Sequence, residues 1–198
     1  MNGRNYKLLD YRLLARSAKL EVPFQSHERV LLDSPALRVM TDLRQVPAAT
    51  IDADAPMDVA HRFMIRRGVR LLLVTDEHRH VLGLITANDI SGERPVTFAV
   101  ERGIRREDIL VRDIMTPREK LEVLLYDEVA TAEVGHIVAT LKAAGRQHAL
   151  VADSGREGSG ETVRGIFSLS QIARQLGVAL ASTELAHTFA EIEAAIAR

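Results

Sequence analysis

The chain has 198 residues, of which 46% are hydrophobic and 27% are charged, so it is long enough and apolar enough to bury a globular core. Its 26 basic and 27 acidic residues leave a net charge of −1, which removes the overall positive field that drives nonspecific binding to nucleic acid or anionic membranes. There is no cysteine, which excludes disulfides and thiolate chemistry. The N-terminus lacks the apolar core of a signal peptide and no apolar run is long enough to span a membrane, so we expect a soluble, cytoplasmic protein.

The first 35 residues are predicted to form an N-terminal extension. Leu8, Leu9, Leu13 and Leu14 supply the apolar positions of one helix, and an irregular stretch continues up to Pro35. We therefore treat residues 1–35 as a segment separate from the rest of the chain.

The next segment, 36–95, predicts the order strand, helix, strand, strand, helix. A short strand at 49–51 precedes a helix that opens at Pro56 and ends at Gly68. LLLV at 71–74 and VLGLI at 81–85 are two strands joined by the polar turn DEHRH, and a second helix begins at Thr86.

The chain then repeats itself. RVMTD at 38–42 returns as RDIMTP at 112–117, RGVRLLLVTD at 67–76 as AGRQHALVAD at 144–153, and GLITANDI at 83–90 as GIFSLSQI at 165–172. We call 83–90 the first corner and 165–172 the second corner, because each is predicted to be a strand that runs directly into a helix. The resulting boundaries are a first repeat at 36–95, a connector at 96–108, a second repeat at 109–178 and a C-terminal helix at 179–198.

The C-terminal segment has one apolar face. Leu185, Phe189, Ile192 and Ile196 recur at helical spacing. We expect this face to pack either on the rest of the chain or on a partner.

From about Leu37 to Gly177 the sequence resembles a tandem pair of CBS domains of the stand-alone type, the regulatory modules named after cystathionine β-synthase. The resemblance rests on the MT lead-in and the apolar strand that ends in Asp in each copy, and on the G-h-h-[ST]-x-x-[DN] corner, whose last position is Gln171 in the second copy. It implies a mixed α/β (α+β) fold of two β-α-β-β-α repeats packed sheet to sheet. It also implies clefts for adenosine-containing ligands, foremost AMP, ADP or ATP, with S-adenosylmethionine or NAD as alternatives, and association into a homodimer.

The first corner has the chemistry for a ribose. Thr86 caps a helix N-terminus, where backbone N–H groups lack partners, and Asp89 lies one turn later. A carboxylate accepts from two adjacent hydroxyls, so Asp89 suits the ribose diol. Gly83 allows close approach of a ring or a strand. The adenine slot is assigned to three apolar residues: Ile51, Leu71 and Leu73.

Phosphate would need positive charge near this corner. The resemblance implies that phosphate is bound by Arg70 in the first copy and by Gln147 and His148 in the second. The alternative is that Arg70 is a solvated residue at the end of a strand and that His148 is a partly buried histidine without a ligand. In the second corner Ser168 keeps a hydroxyl, but Gln171 replaces the acid, which predicts weaker ribose binding there.

Other polar clusters are interpreted structurally. His78 and His80 form an H-x-H pattern within a predicted hairpin turn, with no third metal ligand nearby. The arginines of the connector alternate with acids and are expected to form a solvated face, and the alternative is an added phosphate contact. No nucleophile and base pattern is present, so we expect no enzymatic activity and no catalytic cofactor or metal.

Two functions remain open at this stage. One is a non-enzymatic sensor, such as an energy sensor, that binds adenine nucleotide between the repeats and passes a conformational or dimer change to an effector protein. The other is a ligand-free dimeric scaffold that acts through its surface and terminal helices. Neither involves nucleic acid or a membrane.

Overall fold

The computed structural model describes residues 30–155, 160–178 and 185–196, together with the isolated positions 13, 15 and 18. The helix predicted around Leu8, Leu9 and Leu14 and most of the glycine-rich loop at 155–160 lie outside the described residues. Apart from that loop, the described ranges include both predicted repeats.

The elements of the first half and of the second half have the predicted order. Those of the first half are β1 (Thr41–Asp42), β2 (Thr50–Ile51), α1 (Met57–Arg67), β3 (Leu71–Thr75), β4 (Val81–Thr86), α2 (Ala87–Ser91) and α3 (Arg94–Arg102). Those of the second half are α4 (Val111–Ile114), β5 (Thr116–Pro117), β6 (Val123–Leu125), α5 (Tyr126–Thr131), α6 (Val134–Ala143), β7 (His148–Asp153), β8 (Thr162–Ser168), α7 (Leu169–Gln175) and α8 (Leu185–Ile196). Short 3-10 helices lie at Ala36–Val39, Arg106–Asp108 and Arg118–Lys120. The predicted mixed α/β fold with two repeats is confirmed, and α3 is an additional helix that begins at the end of the first repeat and runs through most of the predicted connector.

Each sheet contains one strand that belongs to the other repeat. One sheet has the order β2-β3-β4-β5 and the other β1-β8-β7-β6. The short strands β1 and β5, which we call the lead-in strands, contain the MT threonines of the first and second repeat. Thr41 in β1 pairs with Ile166, and Thr116 in β5 pairs with Leu84. The two repeats are therefore interlocked through their sheets.

Glycine at the start of each corner makes this exchange sterically feasible. A Cβ atom at Gly83 would overlap the backbone of Thr116, and one at Gly165 would overlap the Met40 side chain. The predicted close approach at Gly83 is thus to a strand of the other repeat.

Three apolar clusters hold the elements together. The outer face of the first sheet packs Leu72, Val74 and Ile85 against Met57 and Met64 of α1. The outer face of the second sheet packs on a separate cluster of helical residues. Between the sheets lies a smaller cluster built on Leu71, Leu73 and Leu150. The sheets therefore pack face to face, with helices outside.

The C-terminal helix α8 packs on this chain. Phe189 is 7% exposed and Ile192 is fully buried, and both belong to the cluster of the second repeat. The side chains of Leu185 and Ile196 lie outside the described part of the chain. Of the two expectations for the apolar face, packing on the rest of the chain holds for the two residues described.

We expect Gly83→Ala to lower the free energy of unfolding by about 1–3 kcal/mol, because the added methyl group has no space between β4 and β5. Chemical denaturation measures this change. Gly135→Ala is the matched control, since a Cβ there would meet nothing closer than 3.4 Å. Equal effects of the two substitutions would contradict the account of the strand exchange.

Candidate functional site

The first corner is a capping box at the junction of β4 and α2. The backbone N–H of Asp89 donates to Thr86 Oγ1 over 3.2 Å, and the backbone N–H of Thr86 donates to Asp89 Oδ2 over 2.8 Å. The T-x-x-D spacing dictates this reciprocal pair, because residues three apart face each other across the first helical turn. The corner is thereby held with both polar side chains at the same end of the sheet.

The Asp89 carboxylate already has several donors. Its Oδ2 also accepts from the Thr86 hydroxyl over 2.7 Å, and its Oδ1 accepts from Arg94 Nη1 over 2.8 Å. The Asp89 side chain is 14% exposed, whereas that of Arg94 is 57% exposed. Because a carboxylate oxygen has about two acceptor positions, the free capacity of Asp89 lies mainly on Oδ1, beside Arg94.

A cavity of about 430 Å³ opens at this corner, between the two repeats. The first repeat contributes the corner and strand residues, and the second contributes β5, the segment after it and the entry to β7. The lining residues are Leu71, Leu84, Thr86, Asn88, Asp89, Arg94, Thr116, Lys120, Leu121, Glu122, Gly145, Arg146, Gln147, His148 and Leu150. The sequence prediction assigned five of these to the ligand: Thr86, Asp89, Leu71, Gln147 and His148.

The other predicted ligand residues of the first repeat lie outside this lining. Arg70 donates over 3.3 Å to Oδ1 of the lining residue Asn88 but is not itself in the lining. Leu73 belongs to the cluster between the sheets, and Ile51 packs on the first core. Gly83 lies under the lead-in strand β5. Contacts of these residues with a ligand stay a prediction.

The second corner is built differently. Ser168 Oγ lies 3.1 Å from Ser170 Oγ, without a side-chain cap, and Gln171 Oε1 accepts from the Thr41 hydroxyl over 3.4 Å. Neither Ser168 nor Gln171 lines the cavity. Nearby, the buried Arg164 pairs with Asp42 and lies over the Tyr126 ring, which ties β1 to the second sheet. In this corner the hydroxyl and the amide serve contacts within the chain.

His148 is neutral at physiological pH. Burial in the seam between the sheets, helped by the nearby Arg70 guanidinium, lowers its pKa from 6.5 to about 4. A neutral imidazole offers one donor and one acceptor to a ligand and adds no charge to the wall.

Four charged cavity residues are not among those predicted from the sequence. Arg94 comes from the start of α3, whereas Lys120 and Glu122 come after β5 and Arg146 precedes β7. Glu122 Oε2 pairs with Arg146 Nη2 over 2.5 Å. In the sequence Lys120 and Glu122 follow the MT motif, Arg146 precedes the strand of LVAD and Arg94 follows the first corner, but only the folded chain brings the four together.

The histidines of the hairpin turn and the arginines of the connector, to which the sequence assigned structural roles, lie outside the cavity. His80 Nδ1 lies 2.8 Å from Asp76 Oδ2 in the turn between β3 and β4. Across the described ranges, no three histidine, aspartate or glutamate side chains group closely enough to hold a metal ion. The connector arginines are exposed, and Arg105 pairs with Asp108. No helix among the described residues has the length and apolar character needed to cross a membrane.

Comparison with known proteins identifies the class of fold. The family model of the CBS domain matches residues 37–94. An uncharacterized conserved protein from Pyrococcus horikoshii is 21% identical over 78% of this chain and 100% of its own, with a TM-score of 0.54. CBSX2, a CBS-pair protein from Arabidopsis thaliana, was solved in complex with AMP; it is 18% identical over 71% of this chain and 94% of its own, with a TM-score of 0.51. A CBS-domain containing protein from Agrobacterium tumefaciens is 16% identical over 69% of this chain and 93% of its own, with a TM-score of 0.50. No curated protein matches the chain.

These matches and the two interlocked sheets give the described part of the chain the fold of CBS-domain pair proteins. More particularly, residues 37–94 are a CBS domain, and the second copy completes the fold of a CBS-domain pair. The tandem pair predicted from the sequence is confirmed.

His148 is expected to make stability depend on pH. Because its pKa is lower in the folded protein, the unfolded chain binds more protons between pH 6.5 and pH 4, and the free energy of unfolding falls as the pH falls through that window. The loss attributable to His148 is up to about 3 kcal/mol. Chemical denaturation of the wild type and of His148→Gln at pH 7 and pH 4.5 should show a smaller pH effect in the variant.

His61→Gln is the control for this measurement, because His61 lies exposed on α1. Its pH dependence should match that of the wild type. A His148→Gln profile parallel to the wild type would show that the buried imidazole does not govern acid stability.

Proposed function

We propose that the chain is a non-enzymatic regulatory module that binds an adenosine-containing ligand in the cavity between its two CBS repeats. The observation that carries this proposal is that one cavity combines the Thr86 and Asp89 corner of the first repeat with basic residues of the second. The AMP complex of CBSX2, which shares the fold, supports the choice of ligand class. AMP, ADP and ATP are the first candidates, and S-adenosylmethionine and NAD are the next.

In this proposal Asp89 binds the ribose. The diol approaches Oδ1, where Arg94 is the competing donor, and an exposed arginine is released at low energetic cost. Leu84 and Leu121 offer apolar surface to the adenine, and Lys120 offers charge to the first phosphate, whereas Arg146 is paired with Glu122. The other predicted ligand residues of the first repeat would support the ligand from positions outside the lining: Ile51, Leu73, Gly83 and Arg70.

Ligand binding would become a signal because the cavity walls belong to different repeats. A ligand that contacts both walls favours the arrangement in which they fit it, and it shifts the population only if a second arrangement binds it less tightly. Release of Arg94 from Asp89 would free the start of α3, which carries exposed Val96 and Val100. We propose that a homodimer or an effector protein senses this change.

The lack of cysteine fits a reducing compartment, and we propose that the protein acts in the cytoplasm.

The second candidate is a dimeric scaffold without ligand. It is favoured by one observation, the engagement of Asp89 with Thr86 and Arg94, which satisfies the carboxylate without any ribose. Calorimetry with AMP, ADP, ATP, S-adenosylmethionine and NADH on protein freed of bound ligand distinguishes the two. Absence of heat and of a thermal shift with all five would overturn the ligand-binding proposal.

Asp89→Asn should weaken AMP binding about 10- to 100-fold, because hydrogen bonds from the diol to a carboxylate are charge-assisted and those to an amide are not. Gln171→Ala in the second corner is the matched variant, and it should change affinity less than about twofold, since Gln171 lies outside the lining. Isothermal titration calorimetry measures both.

Titration with a second ligand distinguishes the role of Asp89 in capping the helix from its role in binding the ribose. With 2′-deoxy-AMP, which lacks one hydroxyl of the diol, the loss caused by Asp89→Asn should be smaller. An equal loss for both ligands would mean that the substitution acts through the fold and would contradict ribose binding by Asp89.

Arg94→Gln should raise the affinity for adenosine, which has a diol but no phosphate, about two- to fivefold, because it removes the donor that competes for Asp89 Oδ1. Titration calorimetry with adenosine checks this. Arg102→Gln, further along α3 and outside the cavity, is the control. An affinity lowered by Arg94→Gln would show that Arg94 is part of the ligand site and not a competitor.

A further inference from the structure

The charged side chains around the cavity are largely paired with each other. Two carboxylates, Asp89 and Glu122, and three basic residues, Arg94, Lys120 and Arg146, belong to the lining. Arg94 pairs with Asp89 and Arg146 pairs with Glu122. The lining therefore has a net charge of +1, which becomes +2 when Arg70, hydrogen-bonded to the lining residue Asn88, is included.

This surplus suits a single phosphate group. A phosphate monoester carries about −1.5 to −2 charges at pH 7, so a nucleoside monophosphate would neutralise the surplus almost completely. Each added phosphate brings further negative charge, and two of the three cations in the lining are already engaged by carboxylates. The volume of about 430 Å³ also lies toward the small end of ligand cavities, which run from about 300 to 1,000 Å³.

Glu122 is the residue whose negative charge would oppose added phosphates. Its side chain is 77% exposed at the rim, and it pairs with Arg146, whose side chain is 44% exposed. A chain of phosphates that reached Arg146 would have to displace this carboxylate and then lie beside it. With the first phosphate at Lys120, the second and third would reach the rim at Arg146, where the negative charge of Glu122 would repel them more than the first.

We propose that Glu122 is a specificity-determining residue that makes the cavity select nucleoside monophosphates over diphosphates and triphosphates. The inference rests on the proposed function, since it concerns the same cavity. It adds a residue and a rule for choosing among AMP, ADP and ATP: repulsion by Glu122 grows with the number of phosphates.

The test is titration calorimetry of AMP, ADP and ATP in buffer free of divalent metal, with the wild type, Glu122→Gln and Glu119→Gln. Glu119 is the matched control, because it lies three residues earlier in the chain, is similarly exposed, pairs with Arg118 and does not line the cavity. Thermal unfolding of each variant confirms that these exposed substitutions leave the fold intact.

We expect the wild type to bind AMP at least about fivefold more tightly than ATP, with ADP between them. Glu122→Gln should raise ATP affinity about three- to fivefold and change AMP affinity less than about twofold, the scale of a single exposed charge interaction. Glu119→Gln should leave all three affinities within about twofold of the wild type, because its charge lies outside the cavity.

Three results would overturn the inference, and they are distinguishable. ATP binding as tight as AMP in the wild type removes the selectivity while leaving the proposed function in place. Equal gains from Glu122→Gln and Glu119→Gln would assign the effect to overall charge and not to Glu122. If none of the three nucleotides binds any of the three proteins, the proposal of a nucleotide site fails and this inference fails with it.

Discussion

The lead-in strands join each repeat to the sheet of the other, since β1 hydrogen-bonds to β8 and β5 hydrogen-bonds to β4. This exchange is possible because glycine stands where each pair of strands comes closest, at Gly83 and Gly165. A pair of sheets of about four short strands each would be marginal alone, and sharing strands couples their stabilities. The cavity depends on the same exchange, because β5 carries Thr116 to the first corner and brings Lys120 and Glu122 after it.

The two repeats share a fold but not a chemistry. Leu71 and His148 occupy matching positions at the start of their strands, and Arg70 matches Gln147. The first corner keeps its acid, whereas in the second corner Gln171 bonds to Thr41 and Ser168 lies within reach of Ser170. A symmetric scaffold thus holds an asymmetric site: the proposed ribose chemistry comes from one repeat, and the opposite wall contains a neutral histidine and a paired arginine from the other.

The sequence was sufficient for the fold because the repeat supplied two independent copies of the same pattern. Strands β3, β4 and β7 and helix α1 are predicted by local signals, namely apolar runs, Pro56 and Gly68. The Thr86 and Asp89 corner is also a local feature, since a capping box involves residues only three apart. Arg94 and Glu122 could not be found in this way, because they reach the cavity through the helix after the corner and through a strand exchanged between repeats. Ile51, which the sequence assigned to the adenine slot, packs on the first core, and its contact with a ligand stays a prediction.

Three interactions share the Asp89 carboxylate: the cap of α2, the ion pair with Arg94 and the proposed binding of ribose. The cap uses Oδ2, so a diol would bind at Oδ1, which has one acceptor position left beside Arg94. A diol that takes both positions of Oδ1 would exchange the ion pair for its own hydrogen bonds, and this would link the proposed occupancy of the cavity to the position of Arg94 at the start of α3. Because the buried Pro95 fixes the first turn of α3, displacement of the Arg94 side chain would change a contact of that helix with the first corner and not its backbone. A ligand site whose acid was free would bind more tightly, but its occupancy would have no such connection to the neighbouring helix.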